Sequence, residues 1–369
     1  MRAEMRIDLK AIAHNISMIK ERTSSPVMAV VKADAYGHGL VEVSKTAIEA
    51  GATQLGVALL EEALTLRAHG ITSPVLAWLT PPGSDFSSAI KQGIEIAIPS
   101  MAIFNEVSDA AKKLDTRARV HIEVDTGMTR GGFLDEWKTL LKADFSNLEV
   151  VGIFSHFARA DEPGQSQNSL QRAAFLSAIA DLKAIGITNL VRHLSNSAAT
   201  LIDKDSLFDL VRVGIALYGL TPDIHNLGTS LSLGLKPAAQ LRVQLHLVKK
   251  VPAHSPVGYG ATESTTADTY LGVVAAGYAD GIPRIAHNAG VFVNGQRAPI
   301  IGRVSMDQFV VDLGANSQVK SGDWVTVFGP GLHGEYTADD WADASQSINY
   351  EIVTRIGPRV PRIYEPHVY

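Results

Sequence analysis

A lysine that ends an apolar run is a candidate for amine chemistry. Lys32 closes the run Met28-Ala29-Val30-Val31. Partial desolvation there lowers an amine's pKa and frees its lone pair to form a Schiff base with a carbonyl. A surface cation at a strand end is the plainer alternative. Further along, His193-Leu194-Ser195-Asn196-Ser197 ends a second apolar run with small hydroxyls, and Val211-Arg212-Val213-Gly214-Ile215 carries a glycine where backbone can approach a ligand. A hydroxyl together with exposed backbone N–H groups suits a phosphate monoester, although a need for small residues in packing explains Ser197 and Gly214 equally well. A Schiff-base lysine opposite a phosphate site fits pyridoxal phosphate more readily than other cofactors. Arg212 lies between two valines, and buried arginine needs a partner. That partner is either an inward carboxylate or the cofactor's pyridine nitrogen. In the second case the permanently charged guanidinium keeps the nitrogen unprotonated, and the ring becomes a weak electron sink.

The elements that must position these residues follow from the apolar pattern. Val27–Lys32, Gln54–Leu59, Pro74–Leu79, Ile94–Ile98, Arg119–Asp125, Val150–His156, Leu190–Ser195 and Leu210–Leu217 are short and rich in Val, Ile and Leu. They lack strict alternation, which is the mark of strands buried on both faces of a parallel sheet. Helix-like segments lie between them, among them Val41–Ala50, Glu61–Ala68, Met101–Lys113 and Ser169–Ala184. Eight strand–helix units over residues 1–235 fit an α/β fold of the (β/α)8 TIM-barrel type, in which chemistry sits at the C-terminal strand ends and phosphate follows strands seven and eight. A doubly wound open sheet is the structural alternative. Residues 236–369 read as a β-rich domain, with strands at Ala239–Val251, Tyr270–Gly277, Val291–Val293, Ala298–Ile301, Phe309–Leu313 and Trp324–Phe328. Asn294-Gly295 signals a hairpin, and Thr337 with Asp340 resembles the capping box of a helix over Ala338–Ser345.

The chain has 369 residues, 46% hydrophobic and 19% charged, with a formal net charge of −5. That is ordinary globular material, without the basic excess of a nucleic-acid protein. No run is long and apolar enough for a bilayer span. A cytoplasmic location is the expectation. The absence of cysteine excludes disulfides, thiolate nucleophiles and Cys-ligated zinc. Gly329-Pro330-Gly331-Leu332-His333-Gly334 matches a dinucleotide fingerprint only by letter, since Pro330 removes an N–H and no βαβ unit follows. His156 and His193 each end a candidate strand, but no His-x-His on an early strand supports a metal site.

Taken in order, Ala29–Gly39, Asp125–Arg130, Ser155–Ala158, Asn196-Ser197, Arg212–Gly219, Gly258–Ala261, Gly277–Gly281, Gly302–Asp307 and Ile348–Glu351 resemble the motifs of bacterial alanine racemases, the barrel-type pyridoxal-phosphate enzymes. The resemblance covers nearly the whole chain. It implies that Lys32 carries the cofactor and serves as one proton-transfer base, with Tyr259 as the other on the opposite face. It further implies cofactor contacts from Tyr36, His156, Asn196, Ser197, Arg212, Gly214, Ile215 and Tyr350. Arg130 would hold the cofactor's phenolic oxygen and the carboxylate of alanine. The same resemblance implies a homodimer with shared active sites, in which Tyr259, Met306 and Tyr278 come from the partner and Asp307 is a supporting residue. The expected role is supply of D-alanine to peptidoglycan.

Two departures stand out. Many family members carry a carbamylated lysine two residues before the motif aspartate, where this chain has Glu123. That glutamate would be a permanent carboxylate beside Arg130, independent of bicarbonate. Ser305 replaces a common cysteine, so thiol-directed inactivation is not expected there. Four other readings compete. A non-catalytic cofactor carrier would lack a substantial second domain. A barrel-type decarboxylase would need a cysteine. A cofactor-free Schiff-base aldolase would lack a yellow absorbance band. A broad-specificity racemase is opposed by the bulky Tyr350 and Tyr278, though serine remains a candidate minor substrate.

Overall fold

Each of the eight apolar runs forms a strand in the computed structural model, which describes residues 1–365. A first strand, β1 (Ala3–Ile7), precedes them. The eight are β2 (Val27–Val30), β3 (Gln54–Val57), β4 (Val75–Ala77), β5 (Glu95–Ile98), β6 (Ala118–Glu123), β7 (Leu148–Phe154), β8 (Val191–His193) and β9 (Val211–Val213). They pair in parallel in the order β8-β7-β6-β5-β4-β3-β2-β9. The ends of that order are joined by backbone bonds from Asp209 N–H to Arg192 O and from Arg212 N–H to Ser195 O, both 3.0 Å. The sheet is therefore a closed barrel, and the open doubly wound alternative is set aside. Residues 12–35 and 40–235 make up this compact unit.

The observed strands are shorter than the apolar runs. The clearest case is β2, which stops at Val30 because the chain then enters a left-handed turn. Ala33, Asp34, Ala35 and Tyr36 have φ of 53°, 54°, 54° and 53°. Each such residue costs roughly 1–2 kcal/mol in an L-amino-acid chain, so the surroundings must hold the turn in place. Glu62 Oε1 accepts from the Ala33 N–H at 2.6 Å, and Asp34 Oδ1 accepts from the Leu40 N–H at 2.8 Å. The Ala35 N–H reaches Val31 O at 2.9 Å.

The second unit comprises residues 1–11, 36–39 and 236–369. Its sheets use β10 (Ala239–Val251), β11 (Pro256–Val257), β12 (Glu263–Ser264), β13 (Thr269–Val274), β14 (Gly290–Val293), β15 (Gln296–Pro299), β16 (Phe309–Gly314), β17 (Trp324–Phe328) and β18 (Arg362–Tyr364). The β14–β15 hairpin turns at Asn294 (φ 49°) and Gly295 (φ 80°). Thr337 Oγ1 accepts from the Asp340 N–H at 3.1 Å and the Asp340 carboxylate accepts from the Thr337 N–H at 2.8 Å, so the capping box forms.

Placing residues 1–235 together in the barrel differs from the structure at the amino terminus. β1 lies in the second unit, antiparallel to β10 from Ala3↔Val243 to Ile7↔Ala239 and parallel to β18. A closed barrel offers no free edge, whereas β10 does, and the alternation of Ala3, Met5 and Ile7 with Glu4 and Arg6 suits a sheet with two unlike faces.

Candidate active site

The barrel unit brings Lys32, Glu123, Arg130, His156, Arg212, Ser197, Gly214 and Ile215 to the ends of its strands or just beyond them. The Lys32 amine is lowered from its usual pKa, first by burial and then by the charge of Arg130, with Glu62 opposing. A lowered amine is the reactive form for attack on an aldehyde.

Arg212 is buried on β9 and its guanidinium pairs with no carboxylate among the described residues. Nη1 donates to His193 O at 2.8 Å and to His193 Nδ1 at 3.2 Å. Nη2 donates to Ser155 O at 2.7 Å, Leu194 O at 3.1 Å and His156 Nδ1 at 3.2 Å. The inward-carboxylate reading of Arg212 is thus replaced by carbonyls and imidazoles. Burial, only partly offset by Glu123, lowers its pKa to about 10, so it stays charged at neutrality. Nε, the fifth donor, has no hydrogen-bond partner among the described residues.

His156 is held neutral, with its pKa lowered to about 3 by burial and then by Arg212, Arg130 and Lys32. Since Nδ1 accepts from Arg212, the ring proton sits on Nε2. The loop behind it is fixed by the buried Gln171, whose amide nitrogen donates to His156 O at 2.9 Å and whose oxygen accepts from the Ala158 N–H at 3.0 Å.

At the ends of β8 and β9, Ser197 Oγ accepts from the Gly214 N–H at 2.9 Å and from the Ala216 N–H at 3.4 Å. Asn196 caps the helix Ser197–Ile202, its Oδ1 accepting from the Ala199 N–H at 3.1 Å. Ile215 opens the 3-10 turn Ile215–Tyr218.

Arg130 follows a loop shaped by Asp125 Oδ1, which accepts from the N–H groups of Gly127, Met128 and Thr129 at 2.9, 3.1 and 3.0 Å. Glu123 faces this loop, and a Cβ added to Gly131 would stand 3.2 Å from its Oε1. The two charges feel each other but form no ion pair among the described residues. Burial raises Glu123 to about 7 against the pull of Arg130 and Arg212. The expected permanent carboxylate is therefore a titrating one.

The remaining expected residues lie in the second unit. Tyr36 and Tyr350 pack with ring centroids 6.2 Å apart, and burial raises the Tyr36 phenol. Tyr259 is 74% exposed, in a turn between Gly258 and Gly260, whose φ values are 70° and 80°. Tyr278 and Met306 sit on adjoining loops, joined by Tyr278 N–H to Ser305 O at 3.1 Å and Ala279 N–H to Met306 O at 2.9 Å. Asp307 pairs with Arg359 at 2.7 Å.

The residues present fit pyridoxal phosphate. A depressed amine and a buried guanidinium with one donor to spare match its aldehyde and its ring nitrogen, and the Ser197 hydroxyl, which accepts from the Gly214 N–H and keeps its own proton to donate, suits a phosphate oxygen.

Three buried residues near Arg212 were not expected as part of a site: Glu95, His121 and His193. The sequence marks His193 only as a metal candidate and as the start of the strand end His193-Leu194-Ser195-Asn196-Ser197. Their signal is a polar residue at a strand position surrounded by apolar ones, as in Val120-His121-Ile122.

The chain matches the family model described as alanine racemase, N-terminal domain, over residues 7–222, and the model described as alanine racemase, C-terminal domain, over residues 238–364. The alanine racemase of Thermobifida fusca is 50% identical over 370 residues, covering 98% of each chain. Among solved structures, alanine racemase from the D-cycloserine-producing Streptomyces lavendulae superposes with a TM-score of 0.97 at 44% identity, covering 100% of this chain and 98% of that one. That from Bartonella henselae, which has covalently bound pyridoxal phosphate, gives 0.89 at 31% identity, with 99% and 100% covered.

Proposed function

This chain belongs to the alanine racemase family, and on that premise we propose that it interconverts L- and D-alanine with pyridoxal 5'-phosphate as cofactor. The observation that carries the reading is the depressed Lys32 amine, in the same unit as a charged arginine that keeps one donor unspent. When bound, the cofactor withdraws electrons from the substrate's α-carbon and so acidifies its C–H bond.

The rest falls to the chain's own side chains. Lys32 Nζ takes or returns the proton on one face. Inversion requires a second base on the opposite face, and the exposed Tyr259 of a partner subunit supplies its phenol there. A phenol's ordinary pKa near 10 needs help to work near neutrality. The neutral His156, with Nε2–H outward and Arg212 charged behind it, provides a hydrogen bond and a positive field. Arg212 Nε would hold the ring nitrogen of the bound cofactor and, being a permanent cation, would keep it unprotonated, which would favour return of the proton to the α-carbon. Ser197, Gly214 and Ile215 would hold the phosphate, with Asn196 fixing the helix that carries Ser197. Arg130 orients the alanine carboxylate, and Glu123 tunes Arg130. Met306, Tyr278 and Asp307 complete the pocket from the partner of a cytoplasmic homodimer that supplies D-alanine to peptidoglycan.

The test is interconversion of L- and D-alanine by purified protein with added pyridoxal phosphate, followed by chiral chromatography. Wild type should reach a racemic mixture and Lys32→Ala should not. Equal activity in the two, or none in wild type, would overturn the reading.

A further inference from the structure

The interior of the barrel holds a line of polar side chains beneath Arg212. Gln54, Glu95, His121, His193 and Arg212 are all buried, and they come from β3, β5, β6, β8 and β9. Glu95 Oε1 accepts from Arg119 at 2.7 Å, while Oε2 accepts from Gln54 and meets His121 Nε2 at 3.0 Å. His121 Nδ1 meets His193 Nε2 at 2.9 Å, and His193 Nδ1 meets Arg212 Nη1 at 3.2 Å. β7 separates β6 from β8, so the two histidines meet across the barrel interior. Gly152 of β7 makes the space, since a Cβ there would stand 2.2 Å from His121 Nδ1.

The hydrogen-bond polarity of this line has only one solution. A guanidinium only donates, so His193 Nδ1 must accept from Arg212. A neutral His193 then has its proton on Nε2 and donates to His121 Nδ1. His121 in turn carries its proton on Nε2 and donates to Glu95. A carboxylate accepts and does not donate, so it closes the line in the same direction. Were a donor placed at Glu95, His121 and His193 would reverse, and an Nδ1–H would confront an Arg212 N–H.

We propose that Glu95 and His121 are positioning residues for catalysis: through His193 they fix the direction of the hydrogen-bond line and thereby the orientation of Arg212. This rests on the reading of Arg212 as the partner of the cofactor's ring nitrogen. Glu95 and His121 are buried and act only through His193. Gly152 is part of the same device, because any larger residue pushes His121 out of reach of His193.

The experiment is 15N NMR of the histidine-labelled, cofactor-loaded protein, combined with kinetics of Glu95→Gln and Glu95→Asp. In wild type, both His121 and His193 should carry their proton on Nε2. In Glu95→Gln, whose amide can donate, a share of His193 should move its proton to Nδ1. Its racemisation kcat should fall about tenfold, the scale seen when an outer hydrogen-bond partner is removed, with KM unchanged and with more pyruvate per racemisation. Glu95→Asp, which keeps an acceptor, should recover the wild-type tautomers and part of the rate. An Nδ1 proton on His193 of wild type overturns the proposal even if the variants fail to fold. So do wild-type tautomers and kinetics in Glu95→Gln. If instead the tautomers are as stated but Arg212→Lys leaves the cofactor absorbance and pyruvate yield unchanged, the ring-nitrogen reading falls and the directional line stands.

Discussion

Arg212 Nη1 lies 2.8 Å from the carbonyl oxygen of His193 and 3.2 Å from its Nδ1, so His193 holds one end of the guanidinium while Ser155, Leu194 and His156 hold the other. The charge is thus bound by neutral acceptors and is not cancelled by a carboxylate. Arg212→Glu, which substitutes a group able to protonate the ring nitrogen, should raise pyruvate formation per racemisation and cut racemisation at least about tenfold, on the order of 1.4 kcal/mol in the barrier. Lactate-dehydrogenase-coupled detection of pyruvate beside chiral analysis of alanine checks it. An unchanged ratio would count against the role.

Glu123 gives a pH-dependent stability. Its folded pKa of about 7 stands above the ordinary 4.5. Between those values the folded chain keeps a proton that the unfolded chain has released, so stability falls as pH rises across that window and stays lower above it. Glu123→Gln should therefore stabilise the cofactor-free protein at pH 8 by up to about 3 kcal/mol, at 1.36 kcal/mol per pH unit, and change little at pH 4. Urea titrations at the two pH values decide the matter. The same side chain bears on carbon dioxide: Glu123→Lys should make activity respond to added bicarbonate, which wild type should ignore.

The left-handed turn after Lys32 offers a stabilising substitution. Ala33 is exposed with φ 53°, so its methyl group contributes strain without burying surface. Ala33→Gly should raise stability by about 0.5–1 kcal/mol, the strain relieved exceeding the added freedom of the unfolded chain. A lower melting temperature in the variant would show that the turn is unstrained.

Asp280 is buried between two arginines, Arg2 at 2.5 Å and Arg359 at 3.2 Å, and its carboxylate also accepts from the Gly277 N–H at 3.0 Å. It therefore clamps the turn that bears Tyr278. Arg2→Ala leaves Arg359 as the only cation on that carboxylate among the described residues. A loss of about 1–3 kcal/mol is expected, below the 3–5 of a fully orphaned buried charge, with a raised KM for alanine. Unaltered thermal unfolding and KM would remove Arg2 from the account.

The barrel was legible because parallel strands buried on both faces must be apolar throughout, and the runs around Ala29, Ile96 and Ile153 are. The hairpin at Asn294-Gly295 and the cap at Thr337 were legible because their signals are local. β1 and β18 were not, since three- to five-residue strands depend on pairing partners hundreds of positions away. Lys32 and Arg212 stood out as charges within apolar runs. Glu95 and His121 did not, because a single polar residue in a strand says nothing of what it meets across a barrel.

The placement of β1 also bears on biosynthesis. Residues 3–7 are synthesised before the barrel, yet their hydrogen-bonding neighbours are residues 239–243 and 362–364. This segment must wait through the synthesis of an entire barrel, unpaired and rich in apolar side chains, before its slot exists. Such late-satisfied edges are where chains of this size are exposed to aggregation.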